Sequence, residues 1–251
     1  MTFSLQDWHT RFIQQASWTA EVRTYLLGKL DLLPNDRVLE VGCGTGVITR
    51  ELAQDVQSIT YGVDIDHERL VFARNFDQAS RYSCADGLYL PFPDNSFSLV
   101  CCHYFLLWIK DQPSAVGEMM RITKKDGSII LFAEPDHASR IDYPELFIHY
   151  GKLQTDALGK QGIDPFTGRK IGWLLTSSGL KDVETGLLHW QQEKMDLSST
   201  QAEWNVAVED LRINLSRDQI KKVLELEKKH WKDSSRVRII PTFYAIGKVK
   251  K

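Results

Sequence analysis

The sequence predicts an α/β protein built on a mostly parallel sheet with helices on both faces, and three observations predict it. Short β-rich runs alternate with helical ones from Val38 to Phe132, the pattern of a parallel sheet connected by crossover helices. The run VLEVGCGTG at Val38 to Gly46 places glycines at alternate positions between a strand and a helix. Glycine lacks a Cβ and tolerates positive φ, so such a loop lets backbone approach a ligand closely, beside a helix start with unpaired N–H groups. Polar residues recur at strand ends: Glu40, Asp64, Asp86, His103 and Glu134. Ligands of such sheets bind beyond the carboxyl ends of the strands. Any one of these residues is explicable as a loop residue, but five on one rim of an apolar sheet read as a ligand site.

Taken in order, residues 5 to 30 read as two helical segments, with Trp8, Phe12, Ile13 and Ala16 at helical spacing, then Val22, Leu26, Leu27 and Leu30. Thr19 is the expected N-cap between them, with Glu21 in the following turn. Leu33-Pro34-Asn35-Asp36 turns into the first strand, which ends at the glycine loop. Ile59 to Val63 is the second strand, and Asp64 ends it about 20 residues after the loop, where a ribose-binding acid belongs. Arg81 to Ala85 and Ser98 to Cys102 are the third and fourth, and Ser128 to Ala133 the fifth, entered by a Lys125-Asp126-Gly127 turn. Helices are expected at 45–54, 66–76 and 112–122.

Beyond Glu134 the pattern changes. A polar loop leads to a helix at Tyr143 to Leu158. A second helix opens at Asp164 as N-cap with Pro165 in its first position, continues through Arg169 to Ser178, and stops at Gly179. Leu180 to His189 reads as strand six, Ala202 to Ile213 as a helix, and Ser216 to Trp231 as another with a Ser216/Gln219 capping box. Val237 to Val249 is a final strand or strand pair.

Composition narrows the function classes. The 251 residues carry a net charge of −2, which gives no global footprint for nucleic acid. No apolar run has membrane-spanning length, and MTFSLQDWHT lacks the pattern of a signal peptide. The cysteines, Cys43, Cys84, Cys101 and Cys102, form no C-x-x-C and fall on or beside expected buried strands, so a reducing cytoplasm without disulfides or a zinc site is expected. The glycine spacing G-x-G-x-G departs from the dinucleotide G-x-G-x-x-G and from the phosphate loop that ends in Lys-Ser or Lys-Thr. Glu40 would repel a phosphate there, but it would accept hydrogen bonds from an amine or a sugar hydroxyl.

VLEVGCGTG, VDID, ADGLYLPF, FSLVCCHYFLLW and MMRITKKDGSIILFAEPD together resemble, in order and spacing, the successive motifs of class I S-adenosylmethionine-dependent methyltransferases, nearest to the methyltransferase-11-like, small-molecule type. The likeness covers about residues 35 to 135. It implies a Rossmann-like seven-stranded mostly parallel sheet with an antiparallel last strand. It divides the chain into a helical cap at 1–34, a cofactor-binding core at 35–135, and a C-terminal part of the same domain at 136–251. Helical insertions at about 136–178 and 191–235 would form a lid on the substrate side, beside strands six and seven.

The resemblance also implies S-adenosyl-L-methionine as cofactor, with S-adenosyl-L-homocysteine as product, and a small-molecule methyl acceptor. Glu40, Gly42, Cys43 and Gly44 would line the methionine end, with Asp64 on the ribose hydroxyls and Ile65 on the adenine face. Ala85, Asp86 and Gly87 would meet the adenine edge. His103 would stand near the amino-acid tail or the reacting methyl, and an N-terminal helix folded over the cofactor would turn Arg11, Gln15 and Trp18 toward it, with Arg11 a candidate partner for the methionine carboxylate. His103, Glu134, Asp136 and His137 are candidate catalytic bases for an acceptor that must lose a proton, and Tyr104, Trp108, Asp136 and His137 candidate acceptor contacts. No metal is implied, and the chain is expected as monomer or homodimer. Plainer readings stay open: aromatics of the N-terminal helix packing on the core, His103 as a structural hydrogen-bonder, and the Lys-rich 216–231 helix as a solvated face. So do two other functions: RNA or protein methylation, and cofactor binding without turnover.

Overall fold

The computed structural model describes residues 4–56, 58–188 and 206–250. A seven-stranded sheet runs in the order β3-β2-β1-β4-β5-β9-β7. Its strands are β1 (Arg37–Val41), β2 (Ile59–Asp64), β3 (Arg81–Cys84), β4 (Phe97–Cys102), β5 (Thr123–Pro135), β7 (Lys181–Leu187) and β9 (Thr242–Lys248). The pairs from β3 to β5 are parallel, and β9 runs antiparallel to both β5 and β7. The expected mostly parallel sheet with an antiparallel last strand is thus what the chain forms.

Strand alternation sends side chains to two separate cores. Leu39 and Val41 pack with Val100, Leu131 and the apolar stripes of α4 (Gln112–Ile122) and α6 (Thr167–Ser177). Val38, Leu99 and Ile130 point the other way, onto Ala16 and Leu26 of α1 (Leu5–Leu27) and Ile48 and Leu52 of α2 (Val47–Asp55). Helix α3 (His67–Phe76) is started by Asp66, whose carboxylate accepts from the Glu68 and Arg69 amides at 3.0 and 3.2 Å.

Several expectations are corrected. The N-terminal region is one helix, not two; Thr19 lies inside it, buried, because its hydroxyl is used in tertiary contacts rather than as a cap. Lys125-Asp126-Gly127 is no entering turn but an irregularity within β5, where Asp126 takes φ +62° and the register with β4 shifts. Tyr143 ends a short strand, β6 (Ile141–Tyr143), and the helix α5 begins only at Leu146 and runs to Lys160. Helix α6 begins at Thr167, because Asp164 caps the Phe166 amide ahead of it. The last apolar stretch divides between two sheets. β8 (Val237–Ile239) pairs with β6 in an antiparallel ribbon, and β9 enters the main sheet. Cys84 is exposed, unlike the other three cysteines.

Of the expected helix at 202–213, residues 206–211 are helical, and 202–205 lie outside the described residues together with 191–201 of the expected second insertion. Helix α7 (Arg217–Lys232) has the expected Ser216/Gln219 capping box. It meets the ribbon through Arg236, which is fully buried. This arginine bonds the Glu227 carboxylate at 2.9–3.1 Å and Asp142 at 2.7 Å, and its guanidinium lies 4.2 Å from the Phe147 ring centroid. The cavity beside this knot is about 30 Å³, room for one water. It reads as a structural ion cluster.

Candidate active site

The carboxyl ends of β1, β2 and β3 lie side by side, since Glu40 pairs with Gly62 and Asp64 with Cys84. Between them the loop turns through three glycines at φ +76°, +52° and +80°, at Gly42, Gly44 and Gly46. A Cβ on Gly42 would lie 2.4 Å from the Phe105 ring, and one on Gly44 would lie 2.9 Å from Phe12. The loop therefore needs glycine both for its backbone conformation and for the aromatic rings packed on it.

Asp64 fixes this loop. Its Oδ2 accepts the Gly44 amide at 2.8 Å and its Oδ1 accepts the Asp66 amide at 2.9 Å. A carboxylate has further lone pairs, and the side chain is only half-buried. Ile65 next to it is 70% exposed, an apolar surface beside a ribose-type acceptor. Asp86 accepts the Leu88 amide at 2.9 Å and is half-buried, between Ala85 and the buried Gly87.

Glu40 differs from both. It is 2% exposed, and its carboxyl accepts the Thr49 hydroxyl. Among the described residues no cation stands at ion-pair distance from it; Arg23, whose charge acts on it from further off, is paired with Glu51. Burial pushes the Glu40 carboxyl up to about 8. A buried acid in this setting matches an incoming ammonium group.

Helix α1 crosses this rim. His9 Nδ1 meets Thr45 Oγ1 at 2.9 Å, and its ring packs on Phe72 and Phe76 of α3. Phe12 covers Gly44, and Thr19 Oγ1 meets His103 Nε2 at 2.9 Å. Arg11 and Trp18 lie on another face, with the Arg11 guanidinium 5.9 Å from the Trp18 ring centroid.

Two of the candidate bases are occupied otherwise. Glu134 is fully buried, and its carboxyl accepts three backbone amides, of Phe105 at 3.0 Å, Leu106 at 2.8 Å and Leu107 at 3.2 Å. Burial raises it to about 7, but its oxygens are spent holding the turn at Leu106–Trp108. Burial, with the Arg23 charge nearby, pushes the His103 imidazole down to about 3, so the ring stays neutral and is a weak proton acceptor. Asp136, expected against the acceptor, is instead fully buried and paired with Arg169, whose Nη2 donates to it at 2.8 Å. Tyr104 takes φ +51° just after His103, Trp108 is 57% exposed, and His137 is half-buried in the turn beyond β5.

Sequence reasoning missed Thr49 and Arg23, and it read Phe105 only as part of an aromatic wall with Tyr104 and Trp108. Thr49 lies one turn into α2, and a hydroxyl there facing the Glu40 strand was the available signal. Arg23 gave none, because its carboxylate partner Glu51 is 28 positions away.

The fold and rim define a nucleotide-cofactor-binding α/β protein whose acids suit an amino acid joined to a nucleoside. A methyltransferase-domain profile matches residues 39–131. An uncharacterized methyltransferase of Schizosaccharomyces pombe is 30% identical over 203 residues, 75% of this chain and 68% of that protein. A demethylmenaquinone methyltransferase of Corynebacterium urealyticum is 37% identical over 120 residues, 48% of this chain and 49% of that one, so the chain spans about half the length of that relative. A solved protein from Bacillus halodurans, named a putative methyltransferase, has the same fold, with TM-score 0.59 and 17% identity, over 91% of this chain and 98% of that one. The chain belongs to the class I S-adenosylmethionine-dependent methyltransferase family. Among the described residues no helix is long and apolar enough to cross a membrane.

Proposed function

We propose that the protein transfers a methyl group from S-adenosylmethionine to a small, partly apolar acceptor. The observation that carries this reading is the convergence of Glu40, Asp64 and Asp86 at adjacent strand ends around a loop of positive-φ glycines. The residues present fit the cofactor. The buried Glu40 carboxyl suits its ammonium, Asp64 its two ribose hydroxyls, Ile65 its adenine face, and Asp86 with the Gly87 N–H the adenine edge. When bound, S-adenosylmethionine supplies a methyl group on a positively charged sulfur.

The protein's contribution is then positioning and exclusion of water. Charge at sulfur is lost as the methyl moves, so a dry site does not oppose the step. Helix α1 lies over the glycine loop and shields this region. With Glu134 and Asp136 engaged and His103 neutral, His137 is the remaining candidate proton acceptor for an acceptor that must lose a proton. The exposed Trp108 favours an acceptor with apolar surface. Two relatives point the same way by name, for demethylmenaquinone and malonyl-[acyl-carrier protein].

The test is incubation with methyl-labelled cofactor and a metabolite extract, followed by mass spectrometry. A labelled small molecule is the expected product. Label recovered in RNA or protein supports macromolecular methylation instead, and label that stays on a bound cofactor supports binding without turnover.

A further inference from the structure

The geometry points to Thr19 and Arg23 as positioning residues that hold His103 as the Nδ1–H tautomer, presenting one N–H donor to the carboxylate of the cofactor's amino-acid tail. The carboxylate part rests on the cofactor reading above; the tautomer does not.

The argument starts from one hydroxyl. Thr19 Oγ1 is buried where α1 meets the end of β4. Arg23, one turn along α1, donates Nη1–H to that oxygen and also to the Ala16 carbonyl at 2.7 Å, while its Nη2 is engaged by Glu51. A guanidinium only donates, so Oγ1 must accept from it. Thr19 then has a single proton to give. Its choices are the Ala16 carbonyl at 3.1 Å, the Gln15 carbonyl at 3.4 Å, and His103 Nε2 at 2.9 Å.

The Ala16 carbonyl is already served by Arg23. Giving the proton to a carbonyl would also force His103 to bring a second N–H onto an oxygen that already accepts from a cation. Donation to Nε2 avoids that crowding of positive hydrogens, and polarisation by the arginine strengthens the hydroxyl as a donor. The imidazole proton is therefore on Nδ1. That nitrogen has no protein partner among the described residues. Burial, with the Arg23 charge close by, keeps the ring from accepting a second proton.

A neutral N–H donor answers an acceptor oxygen. Glu40 sits on β1 in register with Cys101 of β4, two positions before His103. Neighbouring strand ends thus offer an acid for an ammonium and an N–H for a carboxylate, the two halves of one amino-acid group. This makes His103 a ligand contact and not a base, and it gives the buried polar side chains of α1 a role beyond packing.

Long-range 1H–15N correlation spectra of the full chain, with His103 assigned by comparison with H103Q, read the tautomer without any ligand. The wild type should show a neutral ring protonated at Nδ1 from pH 5 to 8. T19V should give mixed tautomers, and T19S should restore the wild-type signal. By calorimetry T19V should bind S-adenosylhomocysteine about tenfold more weakly, while 5′-methylthioadenosine, which lacks the amino-acid tail, binds both proteins equally. A ring protonated at Nε2 in the wild type overturns the tautomer assignment. Equal weakening of both nucleosides in T19V overturns the carboxylate contact. A wild type that binds neither nucleoside overturns the cofactor reading and the carboxylate contact together, with the tautomer still measured.

Discussion

Replacing Glu40 with glutamine should make the protein more stable and a poorer binder of its cofactor at once. Among the described residues the buried carboxyl has no cation at ion-pair distance, and burial raises it to about 8 from an ordinary 4.5. In the unfolded chain it ionises near 4.5, so between that pH and 8 the unfolded state loses a proton that the folded state keeps. Stability of the wild type falls as pH rises through this window and is level on either side of it. Glutamine keeps an acceptor oxygen for the Thr49 hydroxyl and has no charge to lose. At about 1.4 kcal/mol for each pH unit, the variant's advantage grows from zero near pH 4.5 to about 2 kcal/mol at pH 6 and about 4 kcal/mol at pH 8. Urea denaturation at those three pH values reads it directly. Cofactor affinity should move the opposite way, with S-adenosylhomocysteine weakened on the order of 10–100-fold through the lost charged hydrogen bond. A variant less stable than wild type at pH 8, or one that binds as tightly, would refute the reasoning.

Other changes test neighbouring parts of the site. Asp64→Asn keeps an oxygen for one of the two backbone amides it now accepts but loses charge. It should weaken S-adenosylhomocysteine by about 1–3 kcal/mol in calorimetry, and the one backbone amide left without an acceptor should lower stability by about 1 kcal/mol in urea melts. Glu134→Ala strands three buried amides and should lower stability by roughly 3 kcal/mol or more in urea melts, whereas a base acting on substrate would show its effect on turnover with stability unchanged. Gly42→Ala meets both a positive φ and the Phe105 ring, so it should depress cofactor binding severely; Phe105→Ala in the same chain should recover part of that loss, because only the steric half is relieved.

The local readings that held are those with a local cause. The strands around Val38, Ile59 and Ser98 are short apolar runs bounded by turn residues, and helices α2, α3 and α4 follow glycine or aspartate starts visible in the chain. The readings that failed depended on a distant partner. Thr19 looks like a helix start because threonine caps well, yet His103 and Arg23 occupy its hydroxyl and the helix continues through it. Tyr143 looks helical until Val237 arrives from 94 positions away to pair with it in a ribbon. Glu134 and Asp136 look like free acids at a strand end; the amides of the Leu106 turn and the guanidinium of Arg169 claim them.

The sequence by itself determined the order of strands and helices, the glycine loop, and the acids Glu40, Asp64 and Asp86 beside it. Hydrophobic periodicity and backbone freedom act over a few residues and are written in them. The tertiary structure alone decided which of those polar groups are left to meet a ligand. That choice turns on burial and on hydrogen-bond partners, and folding brings both from positions tens of residues apart.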